Sequence, residues 1–475
     1  MEEPAETFLW YDLETSGTSP AHDRIVQFAS LRTDADLNPV EPPFSTYVEL
    51  GPEVVPWPES LLVTGIAPQK LAAGLPEWQA MTEILRIFET PRTCVVGYNN
   101  LLFDDEFIRY SLYRNLLDPY AREWRDGNSR WDIMDLVRAA GALRPEGIEW
   151  PAVEGKPSFG LQAIAEVNGL AHEIPHDALS DVHATIGLAG LIRTRQPRLY
   201  RYGLSLRSKD AARRMLVPFG REICIHAARS FGRERYGTAP VLSIAQHPEI
   251  DASIIVADLG RDISALIEDS AEDLAEALFA KGAEERPPLH QVRLNRCPFL
   301  APLGVLRPAD AQRIGVDRDL VLERQAALAA TADLDSKIAQ VYGRRDSEGR
   351  DGLRDVEERL YEDFIPDADR TVCESLQREL RAGSPWPDVS FSDSRLMALA
   401  SRLCARMRPE SLDGSARQAW NRHVVDRLTG EHPRCLTVAE YRRDVEQRLA
   451  DSAGDSEMLD ALHAYGLELE RRTRA

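Results

Sequence analysis

Two acids two residues apart, Asp12 and Glu14, end the short aromatic and apolar run TFLWYDL. Side chains at i and i+2 leave one face of an extended strand, so both carboxylates would project from the same side of a rigid element. Anions that close repel and raise each other's pKa unless a cation lies between them. A hard divalent ion with oxygen ligands, Mg²⁺ or Mn²⁺, answers that repulsion. Taken alone, the string also fits a strand end passing into a Thr-Ser-Gly turn.

A third acid, Asp104, follows the strand-like TCVVG and an Asn pair, where a helix opens after Phe103. Asp is favoured at helix starts by capping and by the dipole, so this residue fits a cap as well as a ligand. The fourth element is HDALSD. His176 falls in the loop leading into the helical DALSDVHATIGLAGLI, with Asp181 one turn into that helix. A loop histidine beside a metal-bound acid is suited to take a proton from an attacking water. A surface histidine with two helix-start acids is the plainer alternative. His172, His183 and His226 have no comparable setting and are expected to be structural or exposed.

The residues that could hold an anionic strand lie further on. Arg193, Arg195, Arg198, Arg201, Arg207, Lys209, Arg213 and Arg214 cluster with Asp210 as the only acid, interleaved with Tyr200 and Tyr202. Cations neutralise phosphates and aromatic faces stack bases without sequence preference. A basic helix end with a solvated linker is the competing account. The mixed patch Arg229, Phe231, Arg233, Arg235 and Tyr236 fits a polar turn better, and Trp124, Trp131 and Trp150 fit the core.

The elements that must position these groups alternate. Strand patterns occupy 7–13, 25–33, 44–50 and 93–97, and helical periodicity marks 75–90, 104–116, 131–142, 160–169 and 178–193. That mixture indicates an α/β layer fold. Strands at 221–227, 240–245 and 252–257 then suggest a small β-rich domain. The polar, Gly-rich 343–353 suits a linker, and helical periodicity runs from about 354 to the end. No repeat of 20–50 residues is apparent.

Composition limits the classes. The 475 residues carry 57 Lys+Arg against 77 Asp+Glu, a net charge of −20. Such a chain repels polyanions at long range, so a nucleic-acid function needs a local basic surface. Six cysteines without CxxC spacing fit reduced thiols in a cytosolic protein and no zinc site of the usual kind. No apolar run is long enough to span a membrane, and MEEPAETFLWYDLETSG lacks the pattern of a secretory signal.

Asp12, Glu14, Asp104 and Asp181, with His176 five residues before the last, resemble the DEDD exonuclease superfamily in its histidine variant. Longer strings narrow the match. YDLETSGTSPAHDRIVQFASLRTD, TCVVGYNNLLFDDEFIRYSLYRNLLDPYAREW, NSRWDIMDLVRAAGALRPEGIEWP and HDALSDVHATIGLAGLIRTRQPRLY are similar to the bacterial exodeoxyribonuclease I family. VLSIAQHPEIDASIIVADLGRDISALI and LNRCPFLAPLGVLRPADAQRIGVDRD resemble its SH3-like domain, and LYEDFIPDADR the start of its helical domain. The resemblance implies a ribonuclease H-like mixed-sheet α/β exonuclease domain over 1–197, an SH3-like domain over 198–345 and an all-α domain over 354–475. It departs from the family at Leu13, where a tyrosine or similar residue is usual. That side chain is expected to point away from the metals.

Further implications follow from the resemblance alone. Two Mg²⁺ ions, or Mn²⁺ in their place, would be held by the four acids. Asp12 would bridge both ions, Glu14 and Asp181 would share the attacking side, and Asp104 would hold the second ion mainly through its outer shell. His176 would be the general base. Leu13 and Thr15 would flank the terminal nucleotide, Tyr202 would contact the strand, and Arg130 and Arg144 would reach it or its phosphates. The reaction would be processive 3′-to-5′ digestion of single-stranded DNA to 5′-mononucleotides, in repair and recombination. The partner would be the acidic C-terminal tail of the single-stranded-DNA-binding protein, and the enzyme a cytoplasmic, nucleoid-associated monomer with no membrane contact. An RNA or small-oligonucleotide exonuclease is the alternative within the superfamily. A non-catalytic strand-binding protein on a decayed nuclease fold is the alternative from another class.

Overall fold

A computed structural model describes residues 6–170, 176–282, 285–343, 354–430, 434–451 and 456–473. The chain forms two compact units. One comprises 1–129, 173–183 and 353–475, and the other 130–172 and 184–352.

β1 (Thr7–Thr15), β2 (Ile25–Thr33), β3 (Phe44–Tyr47), β4 (Thr93–Gly97) and β5 (Ser129–Asp132) form one mixed sheet in the order β3-β2-β1-β4-β5, of which all but residues 130–132 belong to the first unit. β1 runs antiparallel to β2 and parallel to β4. The alternation of β1 decides its faces. Leu9, Tyr11 and Leu13 join a buried cluster with Met81, Ile84 and Phe88 of the helix Glu77–Phe88 and with Ile108 and Leu112 of the helix Asp104–Arg114. Asp12 and Glu14 therefore belong to the opposite face. β4, TCVVG, is buried at every residue, as a central parallel strand requires.

The helices of the C-terminal region share cores with this sheet's surroundings. Leu376, Leu380, Leu396, Leu399 and Leu403 pack with Trp78, Tyr113 and Leu116. Tyr441, Val445, Leu462 and Leu469 pack with Val26, Leu50 and Leu61. A buried charge cluster joins the same regions. Glu357 receives Arg24 at 2.8 Å, and Arg114 and Arg402 at 3.4 Å. Arg406 reaches both Glu357 and Glu53.

In the second unit a small antiparallel hairpin, β6 (Ala152–Val153) and β7 (Lys156–Pro157), precedes five strands. These are β8 (Ile223–Ala227), β9 (Thr238–Gln246), β10 (Ser253–Asp258), β11 (Leu289–Arg293) and β12 (Phe299–Pro302), in the order β11-β10-β9-β8-β12. Val241, Ile254, Val256, Val292 and Leu300 fill their core with Ala212 and Leu216. β5, β11 and β12 escape the sequence patterns because SRWD, LHQVR and FLAP are short and carry few apolar residues in alternation. The segment read as a linker lies, from 344 onward, outside the described residues.

Candidate active site

The parallel pairing of β1 with β4 ends at Trp10↔Val96, while β1 continues beside β2 to Thr15 and carries Asp12 and Glu14 past the end of β4. Gly97 permits the turn that follows. A Cβ there would lie 2.6 Å from Asn100 Cβ and 3.2 Å from the Tyr11 carbonyl. The chain then returns as the helix Asp104–Arg114, whose first turn holds Asp104, Asp105 and Glu106 at the positive end of the dipole. Asp104 is the first helical residue, one position past the cap residue Phe103, so it belongs to the first turn. Behind it, Asp105 is fully buried. It accepts a hydrogen bond from the Tyr11 hydroxyl at 2.7 Å and pairs with Arg122 at 2.8 Å. The Arg122 guanidinium in turn lies over the Phe88 ring, 4.6 Å from its centroid.

The remaining groups arrive from the helix Ala178–Arg195. Glu14 is paired in register with Gln27 of β2. The Gln27 amide donates to Asp177 Oδ2 at 2.9 Å, and its oxygen accepts from the Ala178 N–H at 3.4 Å. The other Asp177 oxygen accepts from Ser180 N–H at 3.2 Å, satisfying one of the open donors at the helix start. His176, exposed, precedes this turn with a left-handed φ of 60°. That conformation costs about 1–3 kcal/mol in a non-glycine residue and persists where surrounding contacts impose it.

The result is convergence. One ligand atom each from Glu14, His176 and Asp181 lie within 4.8 Å of one another. Asp12 feels the charges of Asp104, Asp181, Glu14 and Asp177, and burial together with these charges pushes its carboxyl well above the ordinary range. Burial, then Asp181, Asp104 and Asp177, raise Glu14 to about 8. A set of mutually repelling, half-dry carboxylates with one imidazole is the donor chemistry of a hard divalent cation, and these residues fit such an ion.

The other sequence expectations divide. The Leu13 side chain is buried in the core cluster, so any contact with a nucleotide is left to its backbone. Thr15 sits at a bulge after Glu14; its hydroxyl donates to the Gly17 carbonyl and its own carbonyl accepts from Ser60. Arg144 and Tyr202 belong to the second unit, where they line one cavity of about 560 Å³ with Arg198, Phe299 and Pro302. The Tyr202 hydroxyl donates to the Leu300 carbonyl at 2.7 Å, and its ring meets Phe299 edge-on at 5.9 Å. Arg144 pairs with buried Asp310 at 3.2 Å. Arg130 donates to the Asn295 carbonyl.

Two aromatic assignments are corrected. Tyr200 is buried against Trp131 at 5.4 Å, so it stacks no base. Phe231 of the second mixed patch is buried in a short 3-10 turn, in keeping with the turn reading of that patch. Trp124, expected in the core, is 65 % exposed. With Tyr120 and Phe364 it lines a cavity of about 580 Å³ in the first unit, bordered by Arg125, Arg370, Arg378 and Arg381. Sequence reasoning missed this cavity because Phe364 lies some 240 residues from Trp124, beyond any local pattern. It also missed Gln27 and Arg122, since a single amide in an apolar strand and a single arginine in a turn carry no spacing signal. Of the histidines set aside, His226 is buried against the Phe299 carbonyl and His183 is exposed; His172 lies outside the described residues. None of the six cysteines forms a disulfide.

Comparison with known proteins agrees with this geometry. Family models described as exonuclease, exonuclease I SH3-like domain and exonuclease I C-terminal domain match residues 9–189, 207–344 and 354–469. Exodeoxyribonuclease I of Escherichia coli is 37 % identical over 469 residues, covering 98 % of each chain. E. coli exonuclease I in complex with a dA16 oligonucleotide superposes with a TM-score of 0.91 at 36 % identity, covering 98 % of this chain and 100 % of that one. The same coverage holds for its zinc-ion-bound complex with single-stranded DNA (TM-score 0.90, 36 %) and for an SSB/exonuclease I structure in complex with an inhibitor (0.88, 36 %). Likeness along the whole chain, carried by all three family segments, makes this protein a nuclease of the exodeoxyribonuclease I family.

Proposed function

We propose that this enzyme digests single-stranded DNA from its 3′ end and releases 5′-mononucleotides, using two magnesium ions. The observation that carries the reading is the convergence of Glu14, His176 and Asp181 within 4.8 Å, inside the field of Asp12 and Asp104. Bound metal ions supply the positive charge that activates a water and offsets charge on the departing 3′ oxygen. Asp12, Glu14, Asp104 and Asp181 hold that charge in place. His176, exposed and without competing burial, accepts the proton of the attacking water. Leu13 and Thr15 face the terminal nucleotide through their backbone.

The exposed Trp124, with Tyr120, Phe364 and the arginines around them, offers base faces and phosphates their complements. An aromatic stack is worth about 1–3 kcal/mol per base, so Trp124→Ala is expected to weaken single-strand affinity by that amount in a fluorescence titration. The cavity lined by Arg144, Arg198, Tyr202 and Phe299 fits a different ligand. Its cations suit the acidic tail of the single-stranded-DNA-binding protein. Arg198→Glu is the direct probe of that assignment. Domain limits of 1–197, 198–345 and 354–475, a monomeric state and a cytoplasmic role on nucleoid DNA in repair and recombination complete the reading. No helix among the described residues is long and apolar enough to cross a membrane.

The deciding experiment is Mg²⁺-dependent digestion of a 5′-labelled single strand, beside matched RNA and duplex DNA. The expected result is mononucleotide release from the single-stranded DNA alone, abolished by Asp12→Ala with strand binding retained. Equal hydrolysis of RNA, or an active Asp12→Ala variant, contradicts the reading.

A further inference from the structure

We infer that Gln27 is a positioning residue of the nuclease centre. Its carboxamide fastens the start of the helix Ala178–Arg195, and with it His176 and Asp181, to the strand pair that carries Asp12 and Glu14. The inference rests on the functional reading above and adds a residue to it.

The geometry is specific. Gln27 lies directly across the β1–β2 ladder from Glu14 and is 2 % exposed. Both ends of its amide are engaged on one target: Nε2 with Asp177 Oδ2 at 2.9 Å and Oε1 with the Ala178 N–H at 3.4 Å. Asp177 passes the constraint on. Its second oxygen holds Ser180 N–H at 3.2 Å, and its carbonyl accepts the Asp181 N–H at 3.0 Å. His176 is the residue immediately before it. The two acids of β1 and the two groups of the helix are far apart along the chain, and this amide is a polar link between the strands and the helix start. An amide offers a donor and an acceptor without charge. Glutamate of the same shape would set a carboxylate against Asp177, where Asp12 and Glu14 already feel the Asp177 charge. Methionine would keep the volume and lose both bonds.

Partners that orient metal-binding groups typically contribute about 10–100-fold in metal affinity or activity. The test uses the full chain with Q27M, Q27E and the exchange variant Q27E/D177N. The exchange variant swaps donor and acceptor across the same pair and keeps the net charge. Three quantities are read: Mn²⁺ affinity by calorimetry without DNA, kcat and KM on a single strand, and the melting temperature. Q27M and Q27E are expected to lower both Mn²⁺ affinity and kcat about tenfold or more, with KM little changed. Q27E/D177N is expected to recover most of both losses. A Q27M variant with parental Mn²⁺ affinity and kcat overturns the inference, as does a Q27E/D177N variant no better than Q27E. Should Q27M fail to fold, the Q27E against Q27E/D177N comparison decides alone. Asp12→Ala, run alongside, separates the two layers. Its activity would overturn the nuclease centre itself, whereas an inactive Asp12→Ala with an unaffected Q27M overturns only the clamp.

Discussion

Glu14 is an acid held where ionising is unfavourable, and this makes the metal-free protein sensitive to pH. Its carboxyl is raised from 4.5 to about 8 by burial and by Asp181, Asp104 and Asp177. Between those values the folded chain keeps a proton that the unfolded chain has lost, so stability falls as pH rises through that window and is unpenalised below it. A bound cation removes the cause. The expected outcome is a larger Mg²⁺-induced rise in melting temperature at about pH 8.5 than at about pH 5.5, with protons released on binding. An equal rise at both would contradict it. At this scale the sequence was informative. Asp12, Glu14, Asp104, His176 and Asp181 stood out by type and spacing, because metal chemistry needs particular atoms. Gln27 and Asp177 did not stand out as a pair. Their value lies in two hydrogen bonds that only the folded ladder creates.

At the scale of elements, a buried pair keeps the helix Asp104–Arg114 aimed. Asp105 and Arg122 are both fully buried, and the Tyr11 hydroxyl adds a further bond to Asp105. Removing one partner of such a pair leaves an uncompensated charge and costs about 3–5 kcal/mol. Arg122→Met is therefore expected to lose that much stability in urea unfolding, with hydrolysis falling as Asp104 loses its fixed base. A loss under about 1 kcal/mol would show that the charge is satisfied by other means. The strands β1, β2 and β4 were legible because burial on both faces makes them short segments rich in aromatic and β-branched residues. β5, β11 and β12 were not, because short edge or half-polar strands are specified by their neighbours. Trp124 shows the converse error. A large aromatic residue usually belongs inside, and only the folded surroundings reveal it facing solvent beside Arg125, with the guanidinium 6.0 Å from its ring.

At the scale of the molecule, the three family segments are not three independent cores. Helices after 354 share apolar clusters with the N-terminal sheet's surroundings, and Glu357 gathers Arg24, Arg114, Arg402 and Arg406. Burial pushes the Glu357 carboxyl up, but Arg406, Arg24 and Arg402 together outweigh it and hold it well below its usual range. Glu357→Ala is expected to cost about 3–5 kcal/mol by stranding buried guanidinium groups, measured by thermal or urea unfolding. An unchanged midpoint would remove Glu357 from that role. Helical periodicity announced these elements in the sequence, but nothing local announced which acid would meet which base across more than three hundred positions.

That separation has a consequence for how the protein is made. A ribosome delivers Arg24 and Arg114 with Glu53 and Glu77 long before Glu357 emerges, so the nascent amino-terminal half holds these cations with only part of their buried counter-charge. The sheet carrying the nuclease acids can reach full stability only once translation is nearly complete, and a chain truncated before Glu357 should be recovered as a loosened, protease-sensitive product.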